Sequence, residues 1–187
     1  MPAFRPRSDR SALIVIDVQP NFLRPIHDRD SVLGRIRFIS RFAELLGVPI
    51  LATEQVPAKM GTTHEDLAPL CPTPVGKETF GAVEAPGFVE RLRATGRTEA
   101  ILVGIETHIC VSQTALGLLD VGYRVAVCPD AVGARTLDRH KLGMERMRDE
   151  GILPIHSEAV AYEWLGSAAH PKFREALALV KAADEPA

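Results

Sequence analysis

Cysteines are scarce in this chain, and their spacing argues against the structural roles that cysteines often share. The 187 residues include three cysteines, Cys71, Cys110 and Cys128, and no Cys-x-x-Cys pair. An odd number of widely spaced thiols is not typical of a disulfide framework or of a cysteine-based zinc site. We therefore expect free thiols and a cytoplasmic location.

An excess of either charge is also missing. Lysine and arginine together number 22, aspartate and glutamate number 24, and the formal net charge is −2. The basic residues are scattered along the chain, whereas a protein that binds nucleic acids usually carries a basic stripe or patch. The sequence therefore predicts no nucleic-acid partner.

Long apolar runs are absent as well. No segment approaches the roughly 20 consecutive apolar residues of a membrane-spanning helix. Residues 1–10 carry charges and prolines where a signal peptide has an apolar segment. We therefore expect no membrane association. Because internal repeats and linkers are also lacking, we expect a single domain over residues 1–187.

Short apolar strands alternate with amphipathic helices along the chain. Strands are predicted at 11–16, 48–53, 75–80, 99–103, 122–128 and 152–156. Helices are predicted at 31–45, 86–96, 111–119, 137–149, 159–165 and 171–182. Leu142 and Met147 are predicted to face the core. This order predicts a doubly wound α/β fold, with three α/β/α layers around a parallel sheet of about six strands.

Polar side chains with reactive groups follow several of these strands. Asp17 follows the first strand, Glu54 follows the second, and Cys110 comes soon after the strand at 99–103. The carboxyl ends of parallel strands meet at one edge of a sheet, where ligands bind. The sequence therefore predicts a site at this edge. Segment 17–21 contains no glycine, so the phosphate-binding loop of dinucleotide-binding folds is missing.

Cys110 lies near a predicted junction between a strand and a helix. In the first turn of a helix, unpaired backbone N–H groups favour the thiolate, which is the nucleophilic form of cysteine. A small buried core residue is the alternative interpretation of the local sequence, since free cysteines are among the most buried residues.

Four short motifs connect these residues. They are Ile16-Asp17-Val18-Gln19 with Phe22, Lys77 with Phe80, Gly104-Ile105-Glu106-Thr107-His108-Ile109-Cys110, and Asp130-Ala131. Together they resemble the isochorismatase-like cysteine hydrolase family over nearly the whole chain. Four further stretches are most similar to the isochorismatase domain-containing subgroup: Thr53-Glu54-Gln55, Gly61-Thr62, Gln113-Thr114-Ala115-Leu116 and His170-Pro171-Lys172-Phe173.

The resemblance implies a catalytic role for three side chains. Asp17 would be the general base, Lys77 its charged neighbour, and Cys110 the nucleophile that forms a thioester with the substrate. It also implies a cis peptide bond between Ile105 and Glu106. Backbone N–H groups of Glu106 and Cys110 would then face the developing oxyanion.

The predicted substrate pocket contains four further residues. The resemblance places Gln19, Phe22 and Phe80 there, although core packing would explain both aromatic residues equally well. Glu54 is added because it follows the second strand at the same edge of the sheet. The family also implies a homo-oligomer.

The sequence differs from the metal-dependent nicotinamidases of this family. Those enzymes carry an Asp-x-His pair after the second strand and a further histidine downstream. Here the corresponding residues are Thr53, Glu54 and Gln55, followed by His64. A zinc site needs at least three protein ligands, so we expect no metal and no other cofactor, and nicotinamide is a poor candidate substrate.

These features predict a cofactor-free hydrolase that acts on a small amide, carbamoyl compound or related acyl substrate. One alternative is isochorismatase-type hydrolysis of a vinyl ether, with Asp17 as the acid and Cys110 as a bystander. A second alternative is a thiol-containing binding protein without catalytic activity.

Overall fold

A parallel sheet of six strands organises residues 3–184, the part of the chain that the computed structural model describes. The strands are β1 Ser11–Ile16, β2 Ile50–Gln55, β3 Val75–Lys77, β4 Glu99–Ile105, β5 Arg124–Gly133 and β6 Leu153–Pro154. Their order across the sheet is β3-β2-β1-β4-β5-β6. The predicted parallel sheet of six strands is therefore confirmed.

Eight α-helices occur within the described residues. They are α1 Pro20–Leu23, α2 Arg29–Leu46, α3 Pro57–Met60, α4 Phe88–Ala94, α5 Ser112–Asp120, α6 Leu137–Asp149, α7 Ser157–Leu165 and α8 Phe173–Asp184. A 3-10 turn spans Ala68–Leu70, and a π turn spans Thr107–Val111. In residues 3–184, no helix combines the length and the apolar character needed to cross a membrane.

Both faces of the sheet are buried, which explains why its central strands are apolar throughout. Along β1, Leu13 and Val15 belong to a core cluster with α2, α7 and α8. Ile14 and Ile16 belong to a second cluster with α4, α5 and α6. Successive side chains of a strand point to opposite faces, so the two clusters form the three predicted α/β/α layers.

Three strands continue further than the sequence predicts, whereas β3 ends at Lys77 instead of residue 80. β4 extends two residues past its predicted end, to Ile105. β2 extends through Gln55, two residues past its predicted end, because its last residues pair with β3. β5 continues to Gly133 instead of ending at 128, and its pairing with β4 is irregular near the end. Such an irregularity accommodates Pro129, which has no N–H group for regular pairing.

Several helix predictions also need correction. α2 begins at Arg29, two residues before the predicted start, because the first helical hydrogen bond joins the Val32 N–H to the Asp28 carbonyl. α4 begins at Phe88, so the predicted first residue at 86 lies outside it. In α6, residue 147 is buried as predicted, but Leu142 is 65% exposed. Residues five apart lie about 140° apart around a helix, so both cannot face the core.

The order of strands reverses between β1 and β4, and Gly104 allows these strands to approach closely there. A Cβ atom on Gly104 would lie 2.2 Å from the carbonyl oxygen of Ile16, and the glycine has a φ of 119°. Residues other than glycine rarely adopt this backbone conformation. The glycine thus brings together the segments that carry Asp17 and Cys110.

Candidate active site

Asp17 and Lys77 form a buried ion pair at the carboxyl edge of the sheet. Lys77 Nζ lies 2.7 Å from Asp17 Oδ2, and the lysine and aspartate side chains are 0% and 2% exposed. Thr53 Oγ1 donates a hydrogen bond of 2.7 Å to the other carboxylate oxygen, Oδ1. Both oxygens of Asp17 therefore have partners, which hold the carboxylate in one orientation.

Four acceptors surround the ammonium group of Lys77. Besides Asp17, they are Gln55 Oε1 at 2.5 Å and the carbonyl oxygens of Thr79 and Phe80 at 3.2 and 3.0 Å. An ammonium group has three N–H donors, so these acceptors occupy all of them. The pairing of β2 with β3 aligns Gln55 with Lys77, which places both side chains on the same face of the sheet.

Cys110 lies in the π turn Thr107–Val111, immediately before α5. Burial raises the pKa of its thiol to about 12. The charge and hydrogen bonding of Asp17 contribute to this rise, while Lys77 and the Glu106 backbone oppose it. The raised pKa favours the neutral thiol in the free protein. The direction of this shift is opposite to the one that a helix N-terminus favours, because burial and Asp17 outweigh the groups that favour the charged form.

The peptide bond between Ile105 and Glu106 is cis, as the resemblance predicts. The carbonyl oxygen of Glu106 accepts hydrogen bonds from the N–H groups of Ile109 and Val111, at 3.0 and 3.2 Å. Oxyanion binding by the backbone of Glu106 and Cys110 stays a prediction.

A cavity of about 70 Å³ opens beside the thiol. Its lining consists of Asp17, Phe22, Gln55, Phe80, Ile105, Glu106, Ile109 and Cys110. A cavity needs about 10–15 Å³ of such volume to hold one water molecule, so this cavity has room for a small substrate group. Phe22 and Phe80 take the predicted pocket positions, and Phe80 is 55% exposed.

Gln19 and Glu54, also predicted to line the pocket, lie elsewhere. Gln19 Oε1 accepts from the Gln55 N–H at 2.8 Å, and its Nε2 donates to the carbonyl oxygens of Gln55 and Gly61 at 3.1 and 2.5 Å. Glu54 Oε1 accepts from the N–H and hydroxyl of Thr63 at 2.7 and 2.8 Å. Both side chains hold the loop that follows β2 and do not face the cavity.

Gln55 and Ile109 line the cavity but were missed by the sequence analysis. Glu54 falls between Thr53 and Gln55 in β2, so its side chain points to the opposite face of the sheet. The predicted end of β2 at residue 53 left Glu54 and Gln55 outside the strand. With the strand extended to its observed end, the two-residue alternation of side chains places Gln55 on the same face as Thr53.

The other two thiols and Asp130 are not part of the cavity lining. Burial raises the pKa of Cys71 to about 11 and the pKa of Cys128 well above its ordinary value. Asp130 forms an ion pair of 3.0 Å with Arg35 and accepts a 2.9 Å hydrogen bond from the Ser157 N–H. These contacts join β5 to α2 and α7.

Comparison with known proteins identifies a domain and several relatives. The model of the isochorismatase domain matches residues 11–159. Isochorismatase domain-containing protein 2 of Bos taurus is 34% identical over 187 residues, covering 97% of this chain and 90% of that protein.

Solved structures share the fold over nearly the whole chain. The MAR1 ribonuclease of Caenorhabditis elegans has a TM-score of 0.89 and 32% identity, covering 95% of this chain and 93% of that one. The YcaC gene product of Escherichia coli, described as an octameric hydrolase of unknown specificity, has a TM-score of 0.88 and 21% identity, covering 98% of this chain and 90% of that one. The extent of the domain match and the identity to the bovine protein show that the chain belongs to the isochorismatase family.

Proposed function

We propose that this chain is a cysteine hydrolase of small amides, carbamoyl compounds or related acyl substrates. The observation that carries the proposal is the position of Asp17, which forms a buried ion pair with Lys77 and lines the same small cavity as Cys110. A base, a compensating cation and a nucleophile at one cavity are the groups that acyl transfer needs. The proposed steps use only residues of this chain.

The first half of the proposed reaction forms a thioester. Asp17 accepts the proton of the Cys110 thiol as the sulfur attacks the carbonyl carbon, which creates a tetrahedral intermediate with a negatively charged oxygen. The Glu106 backbone N–H donates a hydrogen bond to that oxygen. Asp17 then returns the proton to the leaving nitrogen, the carbon–nitrogen bond breaks, and the amine departs.

The second half releases the acid. Asp17 removes a proton from a water molecule as the water oxygen attacks the carbonyl carbon of the thioester. The carbon–sulfur bond then breaks. The proton returns to the sulfur, which restores the neutral thiol. Throughout the cycle Lys77 balances the charge of Asp17 and fixes its position, since its three donors are already occupied by protein acceptors.

A ribonuclease activity is less well supported by this site. The C. elegans relative carries the name ribonuclease, but RNA is a polyanion and proteins bind its backbone largely through cations. The cavity lining contains two carboxylates and no lysine, arginine or histidine among the described residues. The site therefore supports hydrolysis of small acyl substrates better than hydrolysis of RNA.

A screen of small amides tests the proposal, with ammonia release and intact mass as readouts. Replacing Cys110 with alanine is expected to reduce turnover about 10³-fold or more and to abolish the acyl-enzyme adduct. Cys71→Ala is the matched control, because it removes a buried thiol that does not line the cavity. Full activity in Cys110→Ala would overturn the proposal, and isochorismate hydrolysis by that variant would favour vinyl-ether chemistry.

We also propose that the protein forms a homo-oligomer. The octameric assembly described for the E. coli YcaC gene product supports this proposal. Leu142, the most exposed apolar side chain of α6 at 65% exposure, provides apolar surface for contact with another copy.

A further inference from the structure

The charges around the candidate active site are distributed unevenly. Two acidic residues, Asp17 and Glu106, belong to the cavity lining, and none of the lining residues within 3–184 carries a positive charge. Lys77 lies behind Asp17 with a fully buried side chain. Because four protein acceptors surround its three donors, Lys77 has none left for a substrate.

Glu106 has its own cation, but that cation lies outside the cavity. Glu106 Oε2 accepts hydrogen bonds from Arg135 Nε at 3.1 Å and from the Arg135 backbone N–H at 3.2 Å. The Glu106 side chain is 14% exposed and the Arg135 side chain is 44% exposed. Glu106 belongs to the cavity lining and Arg135 does not, so the acidic member of the pair is the one that belongs to the cavity.

This arrangement disfavours a negatively charged substrate. An anionic group would lose its hydration, find no free cationic donor, and approach the like charge of Glu106. A neutral amide suits the same surroundings, because its N–H groups donate to carboxylates and its carbon chain contacts Phe22, Ile105 and Ile109.

We propose that the Glu106–Arg135 pair makes the site selective for neutral acyl substrates over anionic ones, with Glu106 as the specificity-determining side chain. The inference rests on the proposed function for its biological meaning. It predicts turnover of a neutral diamide such as malonamide and rejection of malonamate, which has nearly the same shape and carries a carboxylate in place of one amide.

A pair of thiol reagents tests the charge selectivity without knowledge of the substrate. Iodoacetamide and iodoacetate have nearly the same shape, differ in charge, and alkylate sulfur with release of iodide. Mass spectrometry measures the rate at Cys110 for each, and glutathione supplies the intrinsic ratio of the two reagents. We expect the ratio of the iodoacetamide rate to the iodoacetate rate to be about tenfold higher at Cys110 than at glutathione.

Two variants should shift this ratio in opposite directions. Glu106→Gln removes the carboxylate and leaves Arg135 uncompensated, so the ratio should fall about tenfold, while Arg135→Gln leaves Glu106 unpaired and should raise it. Glu90→Gln, an exposed change on α4, removes the same charge away from the cavity and should leave the ratio as in the wild type.

A Cys110 ratio equal to that of glutathione would overturn the inference, as would absence of alkylation by either reagent or a shift of the same sign in both cavity variants. These results are separate from the amide screen. Charge selectivity without amide turnover would count against the proposed function alone, and amide turnover without charge selectivity would count against this inference alone.

Discussion

At the scale of single residues, Asp17 has two effects on Cys110 that an experiment can separate. Its charge and its hydrogen bond raise the pKa of the thiol, yet the proposed mechanism needs the same carboxylate to accept the thiol proton. Replacing Asp17 with asparagine should therefore lower the thiol pKa and move alkylation by iodoacetamide to lower pH. The same change should reduce turnover by about 10²–10⁴-fold, the usual contribution of a positioned base.

The measurement is the rate of Cys110 alkylation as a function of pH, followed by mass spectrometry. In the wild type we expect the rate to rise with pH without a plateau near neutrality, since the pKa is about 12. Asp138→Asn, an exposed change of the same type on α6, is the control. An alkylation profile for Asp17→Asn that moves to higher pH would contradict the assignment of Asp17 as the neighbour that raises this pKa.

At the scale of secondary-structure elements, the close approach of β1 and β4 depends on Gly104. Alanine at this position would place its Cβ 2.2 Å from the Ile16 carbonyl oxygen in an unfavourable left-handed conformation. We expect Gly104→Ala to lower the free energy of unfolding by about 3 kcal/mol or more, measured by urea denaturation.

Gly34→Ala provides the matched control for this prediction. Gly34 lies in α2, and no atom would lie within 4 Å of an added Cβ. Alanine favours the helical conformation over glycine, so this variant should gain about 0.5–1 kcal/mol. Equal stability of the two variants would show that β1 and β4 do not need a glycine at their contact.

At the scale of the whole molecule, the proposed homo-oligomer predicts a mass in solution above the 20.4 kDa of one chain. Light scattering coupled to size-exclusion chromatography measures it. Leu142→Glu should reduce the assembly size, because a charge would replace the most exposed apolar side chain of α6. Lys181→Glu, an exposed change on α8, should leave the size unchanged. A single-chain mass for the wild type would contradict the proposal.

Much of the fold was predictable because its determinants are local. The apolar run of β1 and the boundaries of α6 follow from patterns within a few residues, and both predictions are confirmed. Asp17 and Cys110 could be placed at one edge because parallel strands all end there.

Features that depend on distant partners were not predictable in the same way. Extending β2 to include Gln55 requires its pairing with β3, which lies beyond a long loop. The raised pKa of the Cys110 thiol arises from burial and from Asp17, which follows a different strand. Likewise, the contacts of Glu54 with Thr63 depend on how the loop after β2 folds back.

The two outermost strands of the sheet have a consequence for aggregation. β3 comprises three residues and β6 comprises two, one of which is Pro154, a residue without an N–H donor. Long exposed edge strands act as templates for pairing with other chains, and short edges interrupted by proline suppress such pairing. The sheet is thereby protected from edge-to-edge pairing between molecules, and we expect ordered association of intact copies to use other surfaces, such as the helical layers.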